Sequence, residues 1–257
     1  MNDPDRRLIV ERRDAVLLLT IDRPRMRNAL DAKVAREIAD ALDELDADAG
    51  LRVGILTGAG GNFSSGMDLK AFAAGERPVV EGRGLAGFAQ KPPRKSLIAA
   101  VEGYALAGGF EVVLACDLVV AARDAVFGLP EVKRALLAAG GGLIRLPRRI
   151  PYHAAMELGL TGDPIGAERA AELGIVNRLA EPGEALAAAL ELAEAIAANG
   201  PVAVAAAKEV LGFAAELPER EAWERQVPIN EMIAGSEDAK EGALAFVEKR
   251  APVWKGR

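Results

Sequence analysis

Two β-rich runs open the chain, residues 8–13 and 15–22, and Asp14 breaks them; together they predict a hairpin that ends at Arg23-Pro24. Behind Asp31, a residue suited to capping, Val34, Ile38, Ala41, Leu42 and Leu45 recur on one helical face and predict a helix reaching about Asp48. Residues 53–57 are a short apolar run, read as a strand, and Gly58-Ala59-Gly60-Gly61-Asn62 turns the chain. Residues 75–95 mix Gly, Pro, Arg and Glu without a period, which predicts a mobile loop with at most one short helix. A strand at 97–101, a helix at 108–116 and a strand at 118–121 follow. From Pro151 to Lys249 the pattern is almost all helical, with helices expected at 184–198, 202–215, 218–234 and 238–249 and one strand at 175–179.

Short buried strands alternating with helices indicate an α/β core. No Pro-, Gly- or Ser-rich linker separates two independent domains, and 257 residues suit one large domain with at most a small appendage. About half the residues are hydrophobic (51%), enough for a large core without disulfide staples, and the few aromatics favour close-packed helices. The formal charge of -6 implies no broad basic face, so nucleic acid is not an expected partner. The single cysteine, Cys116, cannot form an internal disulfide and fits a reducing compartment. With His153 the only histidine, no His/Cys metal cluster is expected, and Ser-His-Asp or Cys-His catalysis is disfavoured. No apolar run approaches the ~20 residues of a membrane span. The polar start, Met1 to Arg7, shows no signal peptide, so the expectation is a cytoplasmic protein.

The remaining chemistry rests on two glutamates twenty residues apart. Glu111 follows Ala107-Gly108-Gly109-Phe110, and Glu131 follows Phe127-Gly128-Leu129-Pro130. Two carboxyl groups facing one substrate suffice to add water to a double bond or remove it. Apolar neighbours, Val112 to Leu114 on one side and Phe127, Leu129 and Val132 on the other, should raise both pKa values. Taken alone, each glutamate also reads as a surface charge or a partner of a helix dipole.

Phe63-Ser64-Ser65-Gly66-Met67-Asp68-Leu69-Lys70 follows one expected strand, and Tyr104 to Gly109 follows another. Glycine at such strand-to-helix turns lets the backbone approach a ligand. If the strands are neighbours, the amides of Met67 and Gly108 converge on one oxygen as an oxyanion hole; otherwise both are ordinary turns. Arg23, Arg25 and Arg27 read equally well as a phosphate site and as a solvated turn. Ala138-Ala139-Gly140-Gly141-Gly142 lacks both the GxGxxG spacing and a P-loop lysine, and reads as close packing of backbone against a ligand or helix.

These segments are jointly specific. With Asp22-Arg23-Pro24, Asn28-Ala29-Leu30, Cys116-Asp117, Leu160-Thr161-Gly162, Glu241-Gly242 and Ala245 to Arg250, the chain resembles the crotonase, or enoyl-CoA hydratase/isomerase, superfamily over essentially its whole length. The resemblance implies an α/β spiral of ββα units over residues 1–195, and a helical region at 196–257 that packs trimers or dimers of trimers. It implies an acyl-CoA thioester substrate and no further cofactor, since CoA is part of that substrate. The thioester oxygen would lie between the Met67 and Gly108 amides, with Glu111 and Glu131 holding water and moving the proton. Arg25 and Arg27 fall where the family meets the CoA adenine and phosphates, and Ser65, Gly66, Asp68, Leu69 and Lys70 belong to the substrate-facing segment. Phe246 and Lys249 match residues that touch CoA from a neighbouring subunit.

Retention of both glutamates favours a hydratase that adds water reversibly to a 2-enoyl-CoA, giving a 3-hydroxyacyl-CoA. Departures from the family pattern bear on the acyl preference instead: Met67 stands where Ala is commoner, Ala107 replaces a frequent Gly, and Phe110 replaces a small residue. The Phe110-Glu111 pair and the C-terminal segment are also similar to carnitinyl-CoA dehydratases. An isomerase of the same fold and a non-catalytic acyl-CoA binder are the competing readings. The binder gains little from two buried acids that cost desolvation.

Overall fold

A computed structural model describes residues 6–257; the first five residues of the polar start lie outside the described residues. The expected hairpin forms from β1 (Leu8–Arg13) and β2 (Val16–Ile21), with Arg13 opposite Val16. Asp14 takes a left-handed φ of 51° at the turn, a conformation that a short polar side chain tolerates. Helix α1 (Ala32–Ala47) begins where the Asp31 carboxylate accepts the amides of Lys33 and Val34, partnering two donors the helix leaves open. Its Val34, Ile38, Leu42 and Leu45 stripe is buried.

In chain order there follow β3 (Val53–Gly58), α2 (Leu69–Ala73), a small hairpin of β4 (Val79–Val80) and β5 (Gly84–Leu85), β6 (Ser96–Val101) and β7 (Tyr104–Leu106). Then come α3 (Gly108–Ala115), β8 (Leu118–Ala122), β9 (Val126–Gly128), a 3-10 turn at Pro130–Arg134, α4 (Gly142–Arg149) and α5 (Tyr152–Thr161). Next are β10 (Ile165–Gly166), α6 (Ala167–Glu172), β11 (Arg178–Ala180), α7 (Ala185–Ala197), α8 (Pro201–Ala214), α9 (Glu219–Gly235) and α10 (Glu237–Glu248).

The main sheet has the order β1-β2-β3-β6-β8-β11, parallel beyond the hairpin. Its central strands are apolar on both faces, as a covered parallel sheet requires. One face meets Ala189 and Ala193 of α7; the other meets the larger core that holds α1 and α3. Above the main sheet lies a smaller one, β10-β9-β7, joined to the chain after β3 by a Ser64–Ala105 bridge. Each turn of the chain thus supplies a strand to each sheet and then a helix, an α/β spiral of ββα units that matches the expected fold class. No single helix among the described residues is long and apolar enough to cross a membrane.

Four expectations need correction. Residues 104–106, read as opening a helix, form strand β7, because the backbone there is held by Ser64 and by β9. The segment 75–95 is not a structureless loop: it carries β4 and β5, and Leu85, Ala86, Phe88 and Ala89 are buried in the core. Leu85, Phe88 and Ala89 stand at i, i+3 and i+4, but the run is short and broken by Gly82, Gly84 and Gly87, so no sustained period exposed it. The strand expected at 175–179 forms at Arg178–Ala180, while Ile175 and Val176 bury in the preceding turn. The mostly helical second part of the chain, expected from Pro151, begins earlier, with α4 at Gly142–Arg149.

Candidate active site

Strands β3 and β6 are adjacent in the sheet, so the turns that follow them meet. The bridge between Ser64 and Ala105 draws the two segments together, and a second bridge joins Leu30 to Met67. The Leu30 amide donates to Gly66 O, and the Asp68 amide donates to Leu30 O, each at 2.8 Å. Gly66 has a φ of 92°, and a Cβ there would stand 2.9 Å from the Gly108 nitrogen. A Cβ on Gly108 would stand 3.6 Å from the Met67 nitrogen. The two amides therefore border one small space, and among the described residues neither donates to an acceptor. Leu85 walls the same space, its side chain lying 3.5 Å from that Cβ position on Gly108.

Glu111 lies in the first turn of α3, on a helix whose every residue is buried, and is itself 3% exposed. The Gly142 amide at the start of α4 donates to its Oε1 at 2.9 Å. Burial pushes its pKa above the usual carboxylate range, opposed by the amides of Gly142, Gly140 and Gly141 and by the Arg145 guanidinium. The glycines are sterically required here. A Cβ on Gly140 would stand 2.7 Å from Glu111 Oε2, and one on Gly142 would stand 3.1 Å from its Cγ.

Glu131 sits half-buried on the 3-10 turn behind Pro130. Its Oε2 is buried without a hydrogen-bond partner among the described residues. Burial pushes its pKa up to about 7, against the pull of its own backbone amide and with help from the Glu111 charge. The two carboxyl groups are thus electrostatically linked yet differently held. Glu111 is clasped by amides; Glu131 has a free oxygen in apolar surroundings.

The substrate-facing residues divide. Arg25 and Arg27 are exposed on and just past the 3-10 turn at Pro24–Met26, with Leu69 and Lys70 exposed at the start of α2. The Ser65 amide donates to Arg27 O at 2.9 Å, which keeps these residues on one rim. Arg27 also stacks 5.6 Å from the centre of the Tyr104 ring. The side chain of Asp68 is turned inward instead. It accepts the amides of Lys70 and Ala71 and pairs with Arg23 Nη2 at 2.9 Å, so its duties are those of a cap and a buried ion pair. Arg23 also reaches Asp31 at 3.0 Å, which resolves the basic trio into one buried member and two exposed ones. Phe246 is 85% exposed and stands with exposed Lys249 at the end of α10, which packs on α9.

Sequence reasoning missed Leu85 and Arg145, and it read the Gly140-Gly141-Gly142 run as close packing without identifying Glu111 as what packs there. The run itself was the available signal for the amides. Nothing in the pattern marked Leu85. An apolar cavity of about 330 Å³ is lined by Val132, Leu137, Leu143, Met156 and Leu160 among others, and neither Glu111 nor Glu131 is among its lining residues. A larger one, about 480 Å³, lies at Thr20, Thr57, Glu102 and Gly183, away from the glutamates. There the Glu102 carboxylate accepts the amides of Gly183 and Ala185 and caps α7, so its polar group is structurally committed.

Known proteins share this fold. A solved enoyl-CoA hydratase from Mycobacterium tuberculosis is 60% identical and superposes with a TM-score of 0.96, covering 98% of this chain and 99% of that one. Enoyl-CoA hydratase EchA19 of the same species is 44% identical over 97% of this chain and 96% of its own length. Carnitinyl-CoA dehydratase of Escherichia coli is 43% identical over 97% and 98%. The family model described as enoyl-CoA hydratase/isomerase matches residues 11–257, nearly the whole chain. On these grounds and on its fold, the chain belongs to the enoyl-CoA hydratase/isomerase family.

Proposed function

We propose that this protein is an enoyl-CoA hydratase, a hydro-lyase that adds water reversibly across the double bond of a 2-enoyl-CoA. The observation that carries the reading is the pair of linked glutamates with unlike surroundings, Glu111 held by amides and Glu131 with a buried, unpartnered oxygen. In this mechanism the Glu111 carboxylate takes a proton from water as the water oxygen bonds to C3. The electron pair of the double bond moves toward the thioester, whose oxygen gathers charge between the Met67 and Gly108 amides. One such donor is worth roughly 3 kcal/mol of barrier. The Glu131 carboxyl then gives its proton to C2, and the proton held by Glu111 restores Glu131 through exchange with solvent. The sum is one water added.

Arg25, Arg27, Ser65, Leu69 and Lys70 form the rim that meets the CoA portion in this reading. Phe246 and Lys249, exposed in one chain, serve a neighbouring subunit's site in a trimer or dimer of trimers. The test is a panel of 2-enoyl-CoA esters of increasing chain length, with crotonobetainyl-CoA included, followed by loss of the enone-thioester absorbance. Loss with the uncharged esters supports the hydratase reading. Loss only with crotonobetainyl-CoA moves the assignment to the dehydratase reading. Binding without loss shows an acyl-CoA binder.

A further inference from the structure

The mechanism above leaves one half-buried cation, Arg145, unused. Arg145 lies one turn into α4, and its guanidinium folds back over the Gly140–Gly142 turn. A Cβ on Gly141, whose φ is 112°, would collide with Arg145 Nη1. Its Nη2 donates to Ala89 O, in the buried segment that carries Leu85. Arg145 therefore ties together three pieces that border the site: α4, whose first amide holds Glu111; the glycine turn; and the segment that walls the oxyanion space. Among the described residues no carboxylate lies within ion-pair distance of the half-buried Arg145 guanidinium.

We propose that Arg145 is a positioning residue for the hydration reaction, one that fixes the amide cradle around Glu111 and supplies that glutamate with a nearby positive charge. The inference rests on the hydratase reading for its catalytic consequence, but not for its electrostatic one. The charged groups near Glu111 are few. Glu131 faces it from the 3-10 turn and Arg145 from α4. Arg148 and Arg149 lie further along α4, where they bear on Arg145 itself. Cys116 and Asp117 lie at the far end of α3, and the Leu85 to Ala89 segment brings no titratable side chain. Arg145 is thus the cation acting on Glu111, and burial would otherwise favour the neutral acid. Two linked acids of which one faces such a cation separate into a base and an acid, as the proposed chemistry requires.

The test is a carboxyl titration by NMR of protein labelled with carbon-13 at glutamate side chains, with Glu111 assigned by its loss in Glu111→Gln. Wild type is compared with Arg145→Gln and Arg145→Lys. Removing the charge should raise the Glu111 midpoint by about one pH unit, the usual effect of losing a nearby opposite charge. The lysine variant should keep most of the wild-type midpoint. In turnover, Arg145→Gln should move the acid limb of the pH profile of kcat/KM upward, with KM for the CoA ester changed less than kcat. If Arg145→Gln does not fold, Arg145→Met, which keeps the apolar stem, is titrated in its place. An unchanged Glu111 midpoint in the neutral variant overturns the proposal, and so does an equal loss of activity in the lysine and glutamine variants without any pH shift. Because the titration needs no turnover, an inactive wild type would refute the hydratase reading alone.

Discussion

Glu131 illustrates how a single side chain joins stability to chemistry. Its pKa of about 7 lies above the ordinary carboxylate value because the folded state desolvates it. Folded protein therefore holds a proton that the unfolded chain has already lost between about pH 4.5 and 7. The favourable linkage is complete below that window and is lost as pH rises through 7. Above it, folding carries the cost of a desolvated charge, up to roughly 3 kcal/mol from the shift and nearer 1 to 2 once partial solvation is allowed for. Glu131→Gln should accordingly lower hydration by ~10²–10⁴-fold and yet raise the melting temperature at pH 8 more than at pH 5. Calorimetry at both pH values checks this; equal effects at the two would contradict the assigned protonation. If Glu131 donates the proton, kcat/KM should also fall as pH rises through 7.

The desolvated setting of the two glutamates was legible in the sequence, because Glu111 follows a glycine turn and precedes Val112 to Leu114, and Glu131 follows Pro130 and is flanked by Phe127, Leu129 and Val132. Asp68 was not. Its neighbours resemble a ligand-facing segment, but its partner Arg23 lies 45 residues earlier, and only the fold brings the two together.

At the scale of elements, the buried ion network ties the 3-10 turn, α1 and α2 into one rim. Arg23 stands between Asp31 and Asp68, and Asp31 also meets Arg7. Arg23→Met would leave the carboxylates of Asp68 and Asp31 short of a charge partner, and should destabilise the protein by about 3 to 5 kcal/mol. Urea unfolding measures it, and a loss under 1 kcal/mol would show that the network is solvated. The oxyanion turns are a second case. Gly66→Ala forces a side chain into φ 92° and places a methyl 2.9 Å from the Gly108 nitrogen. Turnover should be lost, whereas Met67→Ala, which keeps its amide, should mainly alter the acyl preference. An active Gly66→Ala protein would remove the oxyanion role from this turn. The main strands and α1 were legible because apolar spacing there is regular. The two- and three-residue strands of the second sheet were not, because elements so short hold too few residues to show a period.

For the whole molecule, the helices after Gly200 leave large apolar side chains exposed, among them Leu211, Trp223, Val227, Met232, Leu244 and Phe246. Large apolar side chains exposed in this number on one helical region are ordinarily covered by another chain. Light scattering should give a trimer or a dimer of trimers. Phe246→Asp should raise KM for the CoA ester severalfold while leaving kcat within a factor of about two, since it touches no reacting atom. A fully active monomer would contradict a site shared between subunits. Sequence pattern showed that the C-terminal half is helical and rich in apolar faces, but periodicity alone does not say whether such a face meets its own core or a neighbour.

The most direct measurement is hydration of crotonyl-CoA in deuterated water by wild type, Glu111→Gln and Glu131→Gln, with rate and product mass followed together. Wild type should bleach the enone absorbance and yield a 3-hydroxyacyl-CoA with one non-exchangeable deuterium at C2. Each variant should bind the ester with little change and turn over ~10²–10⁴-fold more slowly. Wild type that binds without bleaching, or a glutamine variant at near-full rate, would contradict a two-glutamate hydratase.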